Sequence, residues 1–300
     1  MRIGDLLRRE RPCVSFEFFP PKTDDGVEKL MATVKALRAL DPGFVSVTYG
    51  AGGSSRTRTL EVVKRIKSEL AIESMAHVTC VGHSEGELRS LFSELSQAGV
   101  ENIMALRGDP PLGDEQFVPH AGGFSYATEL IDMLARDFSF SIGAAAYPEK
   151  HLEAESLDAD IANAVRKVRA GAEFLVTQLF FENDAYFSYV YRLREAGVEV
   201  PVIPGVMPIT NYEAIARMTK MSGATMPRRL LAELEARIGE PEAVAELGVA
   251  FTTLQCRELL ARGAPGLHFY TLNRSPATRA VVSALIATNV LREPVASERS

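Results

Sequence analysis

Cysteine is scarce in this chain: three in 300 residues, Cys13, Cys80 and Cys256, with no CxxC pair. That spacing suggests neither a zinc site nor a disulfide framework, and no metal is expected. Long hydrophobic runs are also missing. No apolar stretch approaches the roughly 20 residues that span a bilayer. The opening MRIGDLLRRERP lacks the apolar middle of a signal peptide. Positive charge is not in excess either. Lys and Arg number 33 against 39 Asp and Glu, a net charge of -6, which argues against non-specific nucleic-acid binding. No linker, low-complexity segment or coiled-coil repeat is visible. The expectation is a cytoplasmic protein without membrane or nucleic-acid partners.

What is present is apolar and regularly alternating. At 46% hydrophobic, the chain can bury a large core. Eight β-rich segments are expected at Cys13–Phe19, Phe44–Gly50, Ser74–Cys80, Asn102–Asp109, Phe140–Tyr147, Phe174–Phe181, Val202–Met207 and Leu267–Leu272. Between them lie stretches such as VEKLMATVKALRAL and LRSLFSELSQAGV, apolar at three- and four-residue spacing. QAGV, RAGA and EAGV place glycine where a helix ends before the next strand. The gap from Pro208 to Gly266 holds two or three helices, with Pro227 placed to start one. Strand–helix alternation of this kind closes into a (β/α)8 TIM barrel, an α/β fold, with an open doubly wound sheet as the rival. A single domain over residues 1–300 is expected, its tail REPVASERS (292–300) frayed.

One residue breaks the pattern of its segment. VSFEFFPPK reads as a buried strand stopped by Pro20-Pro21, yet it carries Glu17. Either this carboxylate faces solvent from an edge strand, or it is held in a site with a perturbed pKa. A barrel gathers its active site at the C-terminal strand ends. Those ends carry Thr48, Tyr49, His77, Arg107, Gly108, Asp109, Tyr147, Gln178 and Tyr270 to Arg274. Each alone has a structural explanation; their shared location points to a ligand site. The Gly-rich GAGGSS (50–55) is neither GxGxxG nor a P-loop. In DIANAVRKVRAGA, Asp160, Asn163 and Lys167 share a helix face with Arg166 beside them, opposite Ile161, Val165 and Val168. That face is either solvated surface or a cationic cluster for a pyrophosphate or ribose.

The segments VSFEFFPPK, FVSVTYGAGG, HVTC, ALRGDPP, AAYPEKH, TQLFF, IPGVMPI and HFYTLNR, in this order, resemble the signature segments of the methylenetetrahydrofolate reductase family over nearly the whole chain. The resemblance implies a (β/α)8 barrel that binds FAD and uses NADH or NADPH to reduce 5,10-methylenetetrahydrofolate to 5-methyltetrahydrofolate. It also implies the bacterial form, without a C-terminal regulatory domain, and a homo-oligomer is expected. Carried over by position, it makes Glu17 the general acid and Asp109 the carboxylate at the flavin–folate junction. Thr48, Tyr49, Ala51, His77, Arg107, Gly108, Asp109, Tyr126, Ala127, Tyr147 and His151 match flavin contacts, and Asp160, Asn163, Arg166 and Lys167 match residues that hold the FAD ribose and phosphates. Thr48, Asp109, Gln178, Met218, Tyr270 and Arg274 fall on the folate side.

Two departures stand out. The loop from Pro110 to Phe124 is longer than in the enterobacterial form, and Met218 replaces an aromatic that stacks on the folate. A thioether still packs on a ring, so folate binding is expected to be retained but weaker. In the implied chemistry, ring opening of the folate needs a proton at N10. An apolar setting that raises the pKa of Glu17 would supply it near neutral pH. The alternatives are another folate- or phosphate-ligand enzyme on the same scaffold, a methyltransferase or lyase, and a non-catalytic flavin- or folate-binding protein.

Overall fold

The structure is a computed structural model that describes residues 1–9, 12–49, 53–110 and 117–291, residues 53–57 by their backbone alone. The strands are β1 (Cys13–Phe18), β2 (Phe44–Val47), β3 (Ser74–Thr79), β4 (Asn102–Leu106), β5 (Ser141–Ala146), β6 (Phe174–Thr177), β7 (Val202–Ile203), β8 (Gly205–Val206) and β9 (Gly266–Tyr270). The helices are α1 (Ile3–Leu6), α2 (Asp24–Leu37), α3 (Gly53–Leu70), α4 (Glu85–Gln97), α5 (Ala127–Asp137), α6 (Leu157–Arg169), α7 (Asn183–Glu195), α8 (Tyr212–Ser222), α9 (Arg228–Glu235), α10 (Pro241–Ala261) and α11 (Pro276–Ala287).

Every strand pair is parallel, in the order β7-β6-β5-β4-β3-β2-β1-β9-β8. The two ends of that order are one stretch of chain. Pro204 has no N–H to give a ladder and splits a single stave into β7, which pairs with β6, and β8, which pairs with β9. The Pro204 carbonyl still accepts from His268 N at 3.0 Å. Eight staves therefore form a closed ring, and the open doubly wound rival is excluded.

Side chains alternate across this ring. Val14, Phe16 and Phe18 join Val27, Leu30, Val34, Val62 and Ile66 in the outer layer between strands and helices. Cys13, Phe44, Met75, Met104, Phe174, Val176 and Ile203 form a second cluster, the floor of the barrel interior, which Ile3 and Leu7 plug from below. Glu17 shares the inward parity of Cys13 and Ser15. It therefore faces the barrel axis, not solvent from an edge.

Local chemistry starts and stops the helices where expected. Thr23 caps α2 by accepting from Gly26 N, and Ser84 with Glu87 forms a capping box on α4. The glycines of QAGV, RAGA and EAGV, at 99, 171 and 197, all take φ between 74° and 125°, the left-handed turn that ends a helix. Pro227 is the residue before α9, and three helices fill the stretch from Pro208 to Gly266. The strands are shorter than the β-rich runs suggested. Asn102–Asp109 stops pairing at Leu106 and Phe174–Phe181 at Thr177. The surplus residues form the loops at the barrel mouth.

Candidate active site

Glu17 sits at this mouth between two imidazoles. Its Oε2 lies 3.4 Å from His77 Nε2 and 3.3 Å from His268 Nε2. His268 is fully buried and its Nδ1 is 2.8 Å from Ser15 Oγ, with Ser46 Oγ 3.5 Å from Nε2. Register explains the meeting: Ser15 pairs with both Phe44 and His268, and Glu17 with Ser46 and Tyr270. Tyr270 donates to the Thr177 carbonyl at 2.5 Å, past the stave that β7 and β8 share.

The electrostatics correct one expectation. Burial pushes the Glu17 carboxyl up, but the charge of His77 and the hydrogen bond and charge of His268 outweigh it and hold the group below its ordinary range. The apolar neighbours Phe16 and Phe18 point away into the outer layer, so they do not raise it. Burial conversely depresses His77, against the pull of Glu17. Glu17 and His77 therefore titrate as a coupled pair. Burial also carries the Tyr270 phenol well above its usual value, with Glu17 and Tyr147 adding to the shift.

A second cluster occupies the ends of β4 and β5 and one face of α6, from Asp160 near its start to Lys167 in its last turn. Lys167 donates to the Ala145 carbonyl at 2.8 Å and stands 5.4 Å from the Tyr147 ring centre. Burial lowers its pKa to about 8, against the attraction of Asp160. Asp160 is itself buried and accepts from the His151 backbone at 2.7 Å. His151 meets Tyr147 edge-on at 4.8 Å. Arg107 forks onto Glu153 at 2.5 and 2.8 Å and lies over the Phe117 ring. Gly108 follows with φ 88°; a Cβ there would come within 2.9 Å of the Thr79 side chain, so the backbone packs closely only as glycine. Asp109, exposed, lies in electrostatic range of Arg107 and Tyr147.

The α6 face thus divides. Asp160 and Lys167 turn inward, whereas exposed Arg166 donates to Asn163, one turn back on the same helix. Other residues singled out in the sequence have partners of their own. Tyr49 bonds His83 at 2.8 Å, and Thr48 is held by its backbone to Phe18 and Thr59. Tyr126 is 64% exposed ahead of buried Ala127. Gln178 accepts from Leu179 N; Met218 packs on a third apolar cluster with Leu179, Met207 and Ile215; Arg274 is exposed. Ala51 lies outside the described residues, as does the 292–300 tail. Sequence reasoning missed His268, Ser15, Ser46, His83 and Glu153. His268 was legible: it stands two before Tyr270 and so shares its inward parity.

Fold and site together define a barrel of the enzymatic type, with an acid–imidazole cluster at the strand ends flanked by cations and aromatic rings. The chain belongs to the methylenetetrahydrofolate reductase family, whose model matches residues 2–286. It is 38% identical over 283 residues to methylenetetrahydrofolate reductase (NADH) 1 of Arabidopsis thaliana, covering 91% of this chain and 48% of that one. It is 36% identical over 272 residues to 5,10-methylenetetrahydrofolate reductase of Escherichia coli, covering 91% and 90%. The chain spans about half the length of the plant relatives it matches. In fold alone it is similar to an uncharacterised Clostridium thermocellum protein that binds two copies of 5-methyl-5,6,7,8-tetrahydrofolic acid, with TM-score 0.62, 16% identity and 97% and 99% coverage. No helix among the described residues is long and apolar enough to cross a membrane.

Proposed function

We propose that this chain reduces 5,10-methylenetetrahydrofolate to 5-methyltetrahydrofolate with NADH or NADPH, through FAD, in a ping-pong cycle. The observation that carries this reading is the Glu17 carboxyl, held at the barrel mouth between His77 and His268. The second cluster fits an anionic dinucleotide. Arg107 and Lys167 supply positive charge for a diphosphate, Tyr147 and His151 an aromatic wall, and Gly108 a backbone that a ligand can approach closely. The chemistry FAD supplies when bound is two-electron hydride transfer between nicotinamide and folate.

The chain's own task is to hold, orient and protonate. Glu17, its side chain 12% exposed against 7% for His77 and 0% for His268, is the member of the triad that reaches substrate. Glu17 and His77 share a proton, and Glu17 delivers it to N10 so that the folate ring opens. Asp109 and Gln178 take the pterin side, and Met218 packs against the aminobenzoate.

An absorbance spectrum, followed by anaerobic addition of NADH and then NADPH, tests flavin content and reductant together. Glu17→Gln separates the steps. Hydride transfer into the flavin is expected to survive, and the folate half-reaction to fall roughly 10²–10⁴-fold. Protein that takes up no flavin, or equal losses in both half-reactions, refutes the reading.

A further inference from the structure

Beyond Phe18 the sheet stops holding the chain that carries Glu17. Pairing with β9 ends at Glu17 and with β2 at Phe18, and Pro20-Pro21 bring no N–H to a ladder. Phe19 is 42% exposed, so burial does little to fix it. The turn after β9 takes over. Thr271 Oγ1 donates to the Glu17 carbonyl at 2.6 Å, and Thr271 N approaches the same oxygen at 3.3 Å. The Thr271 hydroxyl also accepts from Asn273 N at 3.2 Å. The Asn273 amide then grips Phe19 from both sides, Oδ1 accepting from its N–H at 2.8 Å and Nδ2 donating to its carbonyl at 2.9 Å.

This grip is built on a costly backbone. Leu272 and Asn273 take φ 50° and 60°, consecutive left-handed residues neither of which is glycine. Asparagine tolerates that region; leucine rarely enters it, and such strain persists only where the surroundings enforce it. Here the strained pair aims the Asn273 amide at the Phe19 backbone while the Thr271 hydroxyl stays on Glu17.

We infer that Thr271 and Asn273 are positioning residues for Glu17, fixing the backbone on which its carboxyl is held between His77 and His268. The inference rests on the proposed function and names two groups that act through Glu17 without touching substrate. Proton transfer falls steeply with misplacement, and about 1 Å of drift costs on the order of 10²-fold. A loosened clamp therefore slows the folate step and spares hydride transfer into the flavin, which needs no proton from Glu17.

The test uses the flavin-loaded protein and three variants. Thr271→Val removes the hydroxyl at nearly constant shape, Thr271→Ser restores it, and Asn273→Gly keeps the left-handed backbone but drops the amide. Stopped-flow measurement of each half-reaction is expected to show the folate step slowed roughly 10–100-fold in Thr271→Val and Asn273→Gly, with the flavin reduction rate within about twofold. Thr271→Ser is expected to return to within about threefold of the parent, and the pH profile of the folate step to shift in the slowed variants only. Parallel losses in both half-reactions, an unchanged folate step, or a serine variant as slow as valine overturns the assignment. Should Thr271→Val melt before assay, Asn273→Gly decides alone. A parent that takes up flavin but never reduces the folate overturns the functional reading and this inference together; a competent parent matched by its variants overturns the inference alone.

Discussion

Replacing Lys167 with methionine removes a charge from a site that already resists it. Burial depresses the amine from its ordinary 10.5 to about 8, Asp160 pulling back and Arg107 adding repulsion. An anionic diphosphate beside Lys167 would restore the charged form. Flavin binding would then take up a proton above about pH 8, and affinity would fall up to tenfold per pH unit from there towards 10.5. The gap of about 2.5 units caps the loss at roughly 300-fold, or ~3 kcal/mol. The flavin-free fold carries the opposite slope. The unfolded chain keeps its proton up to the ordinary value, so between about 8 and 10.5 it binds more protons than the native state, and stability rises with pH. The burial penalty is complete below 8 and relieved through that window. Flavin fluorescence titrations from pH 7 to 9.5, with urea unfolding of the flavin-free protein over the same range, read both slopes. Lys167→Met is expected to bind flavin weakly at pH 7 and to lose the pH dependence of affinity and the extra stability slope. A parent whose affinity is flat with pH, or a methionine variant whose slope matches it, refutes the reasoning.

Two further outcomes are expected. Glu153→Gln releases the Arg107 guanidinium from a half-exposed partner that competes with an anionic ligand; flavin dissociation constants should tighten roughly three- to tenfold at low salt, with less gain at high salt. Gly108→Ala forces a Cβ against Thr79 and Val81 at φ 88° and should cost roughly 1–3 kcal/mol, seen as a lowered Tm and weakened flavin retention.

The ring of eight staves was legible because its signals are local. Val14, Phe16 and Phe18 alternate along one strand, Ser84 and Glu87 cap one helix, and the glycine of QAGV ends it, all within a few residues. Strand ends were less legible. The run from Phe174 to Phe181 stays β-favouring after pairing stops, because Leu179 and Phe181 bury against Met207 and Ile209 above the barrel instead of extending the sheet. Tertiary burial, not propensity, decides where such a run leaves the ladder. The break at Pro204 was equally open to reading, since a proline inside a stave must interrupt it.

The charge state of Glu17 was the least legible feature, and for a physical reason. Sequence neighbours suggested an apolar pocket, yet on a strand the residues beside Glu17 in sequence point to the opposite face. Its real surroundings come from other strands: His268 from the adjacent β9 and His77 from β3, 251 and 60 positions away in the chain. A buried carboxylate without such partners would be expected to rise in pKa; with two imidazoles within 3.4 Å it falls. Glu17 is thereby better suited to sharing a proton than to storing one alone. The same geometry explains why Thr271 and Asn273 matter. The carboxyl works only while it stays 3.3–3.4 Å from both rings, and beyond Phe18 no ladder holds the chain that carries it.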